Sequence, residues 1–177
     1  MRIVLFIVMA AMAMAADYQV DKSRSAITFE ATKMFFVGVE GSFQEFDGYI
    51  VAEEGELKKF DGTVESVSID TENAKRDDDL RSPNFFDAGI YPQIRVVSEG
   101  ISQSIADVKV TIREQSHLLP FTIEKFEVEG YEATLVLSGV VDRTLFSLDS
   151  SMMSAVINDD VEVRAVIVAQ EMWEDHD

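Results

Sequence analysis

The sequence predicts an all-β protein of about eight mostly antiparallel strands, built as a sandwich or a closed barrel and interrupted by one short helical insert. Three observations carry this. Apolar and polar residues alternate through most of the chain. Glycines at Gly55, Gly62, Gly100 and Gly130 separate the alternating runs. Two late segments, 132–141 and 161–169, are apolar on both faces, as in Leu135-Val136-Leu137 and Ala165-Val166-Ile167. A strand of that kind faces a core on one side and a second apolar layer on the other, which in a barrel is a covering helix or a ligand.

The elements follow in order. Met1 and Arg2 give a short positive start, Ile3 to Met12 is continuously apolar, and Ala13-Met14-Ala15 places small residues at alternate positions. This pattern predicts a secretory signal peptide cleaved after Ala15, leaving residues 16–177 as one exported, periplasmic domain with no membrane anchor. Ala26 to Thr32 alternates, as a strand with one wet face does. Strand runs follow at 42–52 and 63–70. Thr71 is placed to cap a helix over 72–80, with Glu72 at its positive end. Ser82-Pro83 ends that helix, and a second short turn over 83–88 closes at Gly89. Strands resume at 94–99, 108–113, 121–124, 132–141 and 161–169. Phe126 and Val128 lie one position out of register with Phe121 and Ile123, so a bulge is expected near Lys125. His117 reads as an exposed hairpin residue, and Asn158-Asp159-Asp160 as a turn.

Composition sets limits on function. The chain has 177 residues, no Cys, two His, and a formal net charge of −18. That length suits one domain. The charge excludes nucleic acid and anionic membrane surfaces as partners, because both need Lys/Arg patches. Without Cys there is no disulfide, thiolate metal site, lipid-modified anchor or cysteine nucleophile. Asp77-Asp78-Asp79 lacks the spacing, Gly and distal Glu of a calcium loop. Met152-Met153 could offer soft copper ligands but better suits the irregular space of a pore end. No metal and no cofactor are expected. A Ser116-His117 pair with no Gly-x-Ser-x-Gly elbow does not make a hydrolase triad, so no catalytic residue is assigned.

Residues Ala74 to Pro92, AKRDDDLRSPNFFDAGIYP, closely resemble a signature of the YceI-like family of exported lipid-binding barrels. Further matches stand in the family's order: Asp17 to Asp21, Gly41 to Gly48, Val110 to Arg113, and Asp142 to Phe146. The resemblance spans nearly the whole chain after residue 15. It implies an extended eight-stranded antiparallel lipocalin-like barrel whose apolar pore holds a polyisoprenoid or similar amphiphile, and it makes a homodimer plausible. Four positions differ. Lys33 and Asp79 stand where the family often has His, and Glu114 and Ser147 where Gly is common. The resemblance therefore carries no histidine headgroup contact onto those two positions.

Candidate ligand-binding residues are the aromatic rings near turns and the insert. Phe35, Phe36, Phe43 and Phe46 come before the insert, Phe85 and Phe86 on it, and Phe146 after it. They read either as the mouth and wall of a ligand channel or as ordinary core. Adjacent residues on a short helix point about 100° apart, so one of Phe85 and Phe86 can pack down while the other faces a cavity. Met152 joins the set as a pore-end residue. Arg76 and Arg81 could hydrogen-bond a headgroup, or belong to a solvated face with weak ion pairs. The reading that results is a carrier of a long-chain amphiphile, such as a polyisoprenoid, a quinone-like lipid or a fatty-acid derivative. A side-chain-filled barrel acting as an envelope interaction module is the main alternative, and an enzyme acting on such a lipid a lesser one. N-terminal sequencing of the exported protein should return Ala16 or Asp17 first; a retained Met1 would remove the export reading.

Overall fold

A computed structural model describes residues 15–33, 37–148 and 157–172. Eight antiparallel strands close into a barrel. They are β1 (Ala15–Val20), β4 (Phe46–Glu53), β5 (Glu56–Glu65), β7 (Gln93–Ile101), β8 (Ile105–Ile112), β9 (Gln115–Glu129), β10 (Glu132–Asp142) and β11 (Ile157–Glu171), in that order around the wall. β11 returns to β1 through Tyr18↔Glu171, Gln19↔Gln170 and Val20↔Ala169. The earlier half of β11 pairs instead with β2 (Ala26–Lys33), which carries β3 (Val37–Phe43) and the two-residue β6 (Ile69–Asp70) beyond it. One eight-residue helix, α1 (Ala74–Arg81), follows β6.

Alternation explains the wall. On β8, Ala106, Val108, Val110 and Ile112 are buried while Ile105, Asp107 and Lys109 are exposed. On β10 the inward set is Ala133, Leu135 and Leu137, joined across the barrel by Tyr18, Ile50 and Phe60. The expected bulge lies in β9. Val136 pairs with Lys125 and Leu137 with Ile123, so Glu124 is the extra residue that returns Phe126 and Val128 to the inner face.

Several boundaries differ from the sequence reading. The run at 42–52 is two strands, because the chain turns at Gln44-Glu45 and leaves β3 for a new partner, β1. The run at 63–70 breaks at a 3-10 turn, Ser66–Ser68. Asn73, not Thr71, caps the helix: its side chain accepts from the Arg76 amide. Thr71 is buried instead, and Glu72 has a left-handed φ of 59° that keeps it out of the helix. Residues 83–90 form turns without a second helix. Residues 158–160 continue β11 rather than turning. The outer face of β10 and β11 buries Val136 and Val168, yet α1 packs on β6, three strands from β11. The insert is therefore not the second apolar layer of those strands.

Gly139 stands directly across from Phe121, whose ring lies over it. A Cβ at that position would sit 2.7 Å from the ring. Phe121 is itself buried, so it has little room to swing aside. Gly139→Ala should therefore destabilise the barrel by about 1–3 kcal/mol, read as a lowered denaturant midpoint. An unchanged midpoint would mean that the ring relocates freely.

Candidate functional site

The pairing registers place two ends on the barrel. The β8–β9 turn, the start of β7, and the end of β10 meet at one end, together with the 3-10 helix Arg143–Phe146. The turns near 54, 103 and 130 lie at the other. Inside, a narrow cavity of about 90 Å³ is walled by Val20, Ile27, Phe46, Ile50, Phe60 and Ile167, among others. Gly48 and Gly62, paired across β4 and β5, leave the wall thin beside it.

Towards the first end the inner face is less fully covered. Phe43 and Phe86 are half-buried, whereas Phe85, Phe46 and Phe146 belong to the core, Phe146 with no exposed surface. The adjacent pair Phe85-Phe86 thus divides: Phe85 packs down, and Phe86 meets Phe43 edge-on at 6.1 Å. Phe43 in turn lies 5.6 Å from Phe29 of β2. These three rings form a line of partly covered aromatic surface from the insert across β3 to β2, where Phe29 borders an open cleft. Phe29 was not among the sequence candidates, although its alternation with Ile27 and Ala31 already put it on the apolar face. Phe35, Phe36 and Met152 lie outside the described residues.

The charged cluster on α1 holds the insert in place. Asp77 is buried and accepts from the Thr71 amide at 2.9 Å and the Thr71 hydroxyl at 2.5 Å. Arg76 donates from Nε to the Thr71 hydroxyl and from Nη2 to the Thr71 carbonyl, both at 2.7 Å. Arg81 donates to the carbonyls of Val67 and Ile69 at 2.7 and 2.6 Å. Both guanidinium groups are therefore ties between helix and β6. Arg113, at the β8–β9 turn, donates to the Phe85 carbonyl and lies 5.8 Å over the Tyr91 ring. A hydrogen bond to Glu114 raises the Tyr91 phenol above its usual range. The turn thus clamps the loop that carries Phe85 and Phe86.

The 3-10 helix is fixed in the same manner. Asp142 caps it, accepting from the Thr144 hydroxyl at 2.6 Å and amide at 2.9 Å, which holds its carboxyl below the usual carboxylate range. Arg143 is buried and donates to the carbonyls of Leu148 and Asn158 and to the Asp159 carboxylate. Ser147 closes the helix at a left-handed φ of 54°. That conformation favours Gly, so Ser here carries a small backbone cost.

His117 does not sit in an exposed hairpin. It is half-buried in β9, opposite Val110, and its ring meets Phe146 edge-on at 5.1 Å. Its Nε2 atom is buried with no hydrogen-bond partner among the described residues. Extending the alternation of Phe121 and Leu119 back past Pro120 would have placed it on the apolar face.

A second concavity, an open cleft of about 900 Å³, is lined chiefly by residues that alternate with the core set on β2, β3, β9, β10 and β11. Glu30 stands opposite both Glu40 and Glu162 there, so the cleft is acidic. Among the described residues no three His, Asp or Glu side chains are grouped to hold a metal ion.

Comparison with known proteins agrees with this geometry. Protein YceI of Escherichia coli is 31% identical over 106 residues, which are 58% of this chain and 56% of that protein. The match thus spans little more than half of the relative's length. The crystal structure of Burkholderia cenocepacia BcnA superposes with a TM-score of 0.77 at 21% identity, covering 85% of this chain and 99% of that one. A polyisoprenoid-binding domain from Saccharophagus degradans superposes at 0.67 with 12% identity, covering 88% and 98%. The YceI-like domain family matches residues 18–169, and with its closed eight-stranded wall and, among the described residues, one short α-helix, the chain belongs to that family.

Proposed function

We propose that the protein is an exported, periplasmic carrier that holds one long-chain amphiphile in its lumen: a polyisoprenoid, a quinone-like lipid or a fatty-acid derivative. The observation that carries this is a closed barrel with an apolar cavity inside it, beside which a line of partly covered rings, Phe86, Phe43 and Phe29, runs from the insert onto β3 and β2. Solvated apolar surface of that kind is unfavourable by about 25 cal/mol per Å² unless something covers it. The cavity of about 90 Å³ takes only part of a long chain, so binding parts Phe43 from Phe86 and admits the chain between them. The polyisoprenoid binding named for the Saccharophagus degradans domain supports the same ligand class. Residues 1–15 direct export, and cleavage after Ala15 removes only the first residue of β1. Among the described residues no helix is long and apolar enough to cross a membrane.

Recognition in such a lumen is led by shape, and no catalytic group is needed. Among the described residues no carboxylate is hydrogen-bonded to His117 Nε2, the atom that an acid–base reading would put to use. Native mass spectrometry of gently purified protein should show added mass of lipid size. A barrel that stays at its bare mass and takes up no long-chain amphiphile would favour the side-chain-filled interaction module.

The aromatic line gives a second test. Phe85→Ala should cost about 3–5 kcal/mol of stability in delipidated protein, because the ring is core. Phe86→Ala should cost less and weaken binding of a polyprenyl ligand more. Equal losses of stability, with binding unchanged in both, would return the pair to plain packing.

A further inference from the structure

We propose that His117 is the hydrogen-bonding anchor for the ligand's polar terminus, and that this terminus is an uncharged hydroxyl. The inference rests on the carrier reading and adds the chemistry of the head. A buried polar atom without a partner is costly, and such atoms are rare in folded proteins. His117 Nε2 is one. Its place fits a head at the mouth of the barrel. The inner-face pairing runs Gly62↔Val96↔Val110↔His117 across β5, β7, β8 and β9, so His117 stands two strands from the cavity-lining Val96. The buried Phe146 packs edge-on against its ring at 5.1 Å. His117 lines neither of the two cavities, so a chain that runs from the lumen toward the end carrying the insert opens the packing around Nε2 to bring its terminal group there.

The charge state follows from the neighbours. A buried carboxylate or phosphate needs a free cation beside it. Arg143 donates to Leu148, Asn158 and the Asp159 carboxylate, and Arg113 donates from Nη1 to the Phe85 carbonyl while its guanidinium lies over the Tyr91 ring. The chain's net charge of −18 adds repulsion to any anion. A hydroxyl meets the remaining requirement better than a carbonyl. It can donate to Nε2 or accept from it, so it pairs with either neutral tautomer of the ring.

The test compares geranylgeraniol with the hydrocarbon of the same chain, titrated into delipidated protein and into His117→Phe. The variant keeps an aromatic ring and removes the nitrogen. It should bind the alcohol about fivefold to tenfold more weakly and the hydrocarbon as well as the parent does. In the unmodified protein, nitrogen NMR of the two histidines, His117 and His176, should show one Nε2 resonance moving with the alcohol and still with the hydrocarbon. Equal loss of both ligands in the variant, or an unmoved resonance while the alcohol binds, would reduce His117 to a packing residue and overturn the inference. Failure of the parent to bind either ligand would overturn the carrier reading and this inference with it. That outcome is distinct, because it appears before any variant is compared.

Discussion

Everything in this barrel depends on β11 serving two partners with one edge. Residues Val161 to Val166 pair with β2, and Ala169 to Glu171 pair with β1. The changeover lies at Val168. Its carbonyl accepts from the Asp21 amide and the Ser25 hydroxyl, and its amide donates to the same hydroxyl. Between β1 and β2 the chain makes one 3-10 turn, Lys22–Arg24, capped by the Asp21 carboxylate. That step lets two successive strands share a single edge without leaving backbone groups unpaired. Because β1 is thereby held against both β11 and β4, the eight-stranded wall has no open edge for another chain to join.

The same arrangement creates the opening. β2, β3 and β6 are carried out beyond the wall on the earlier half of β11, and the chain reaches β7 only after the insert has crossed the barrel's end. A short helix with a polar sequence has no apolar stripe strong enough to dock it. Its position is set instead by hydrogen bonds: Asp77 and Arg76 on Thr71, Arg81 on Val67 and Ile69, and Arg113 on Phe85. Buried polar groups of this kind specify a place more sharply than apolar packing does, provided each has its partner. The consequence is a fixed frame around Phe86, whose ring stays only half covered.

Interior and exterior have opposite characters. The inner rows are mainly apolar, with His117 and Ser98 among their polar members, while the outer rows carry carboxylates that face each other, as Glu30 does with Glu40 and Glu162. Like charges directly opposite one another on a sheet work against stability. They also keep anionic surfaces and polyanions at a distance. An apolar molecule therefore finds compatible surface in the lumen and not on the outer wall.

Periodicity determined the strands from β7 onward, their inward faces and even the bulge in β9, because side chains on a strand alternate whatever the strand pairs with, whereas it ran together or misplaced the strands between residues 42 and 70. The ordered motifs from Asp17 to Phe146 gave the family, and with it the choice of barrel over sandwich. Only the tertiary structure decided which neighbours those faces meet. The break between β3 and β4 is marked locally, because Phe43 and Phe46 stand three apart and the alternation changes phase at Gln44-Glu45, but nothing local shows that the pairing partner changes there from β2 to β1. The roles of Arg76 and Arg81 were equally hidden: a guanidinium can face solvent, a ligand or a carbonyl, and the choice depends on β6 lying beneath the helix. His117 followed the alternation of its strand, but its unpartnered nitrogen arises from what surrounds it, Val110 across the sheet and Phe146 from a distant turn. Sequence spacing fixes where a side chain points. The closing of the barrel fixes what it finds there.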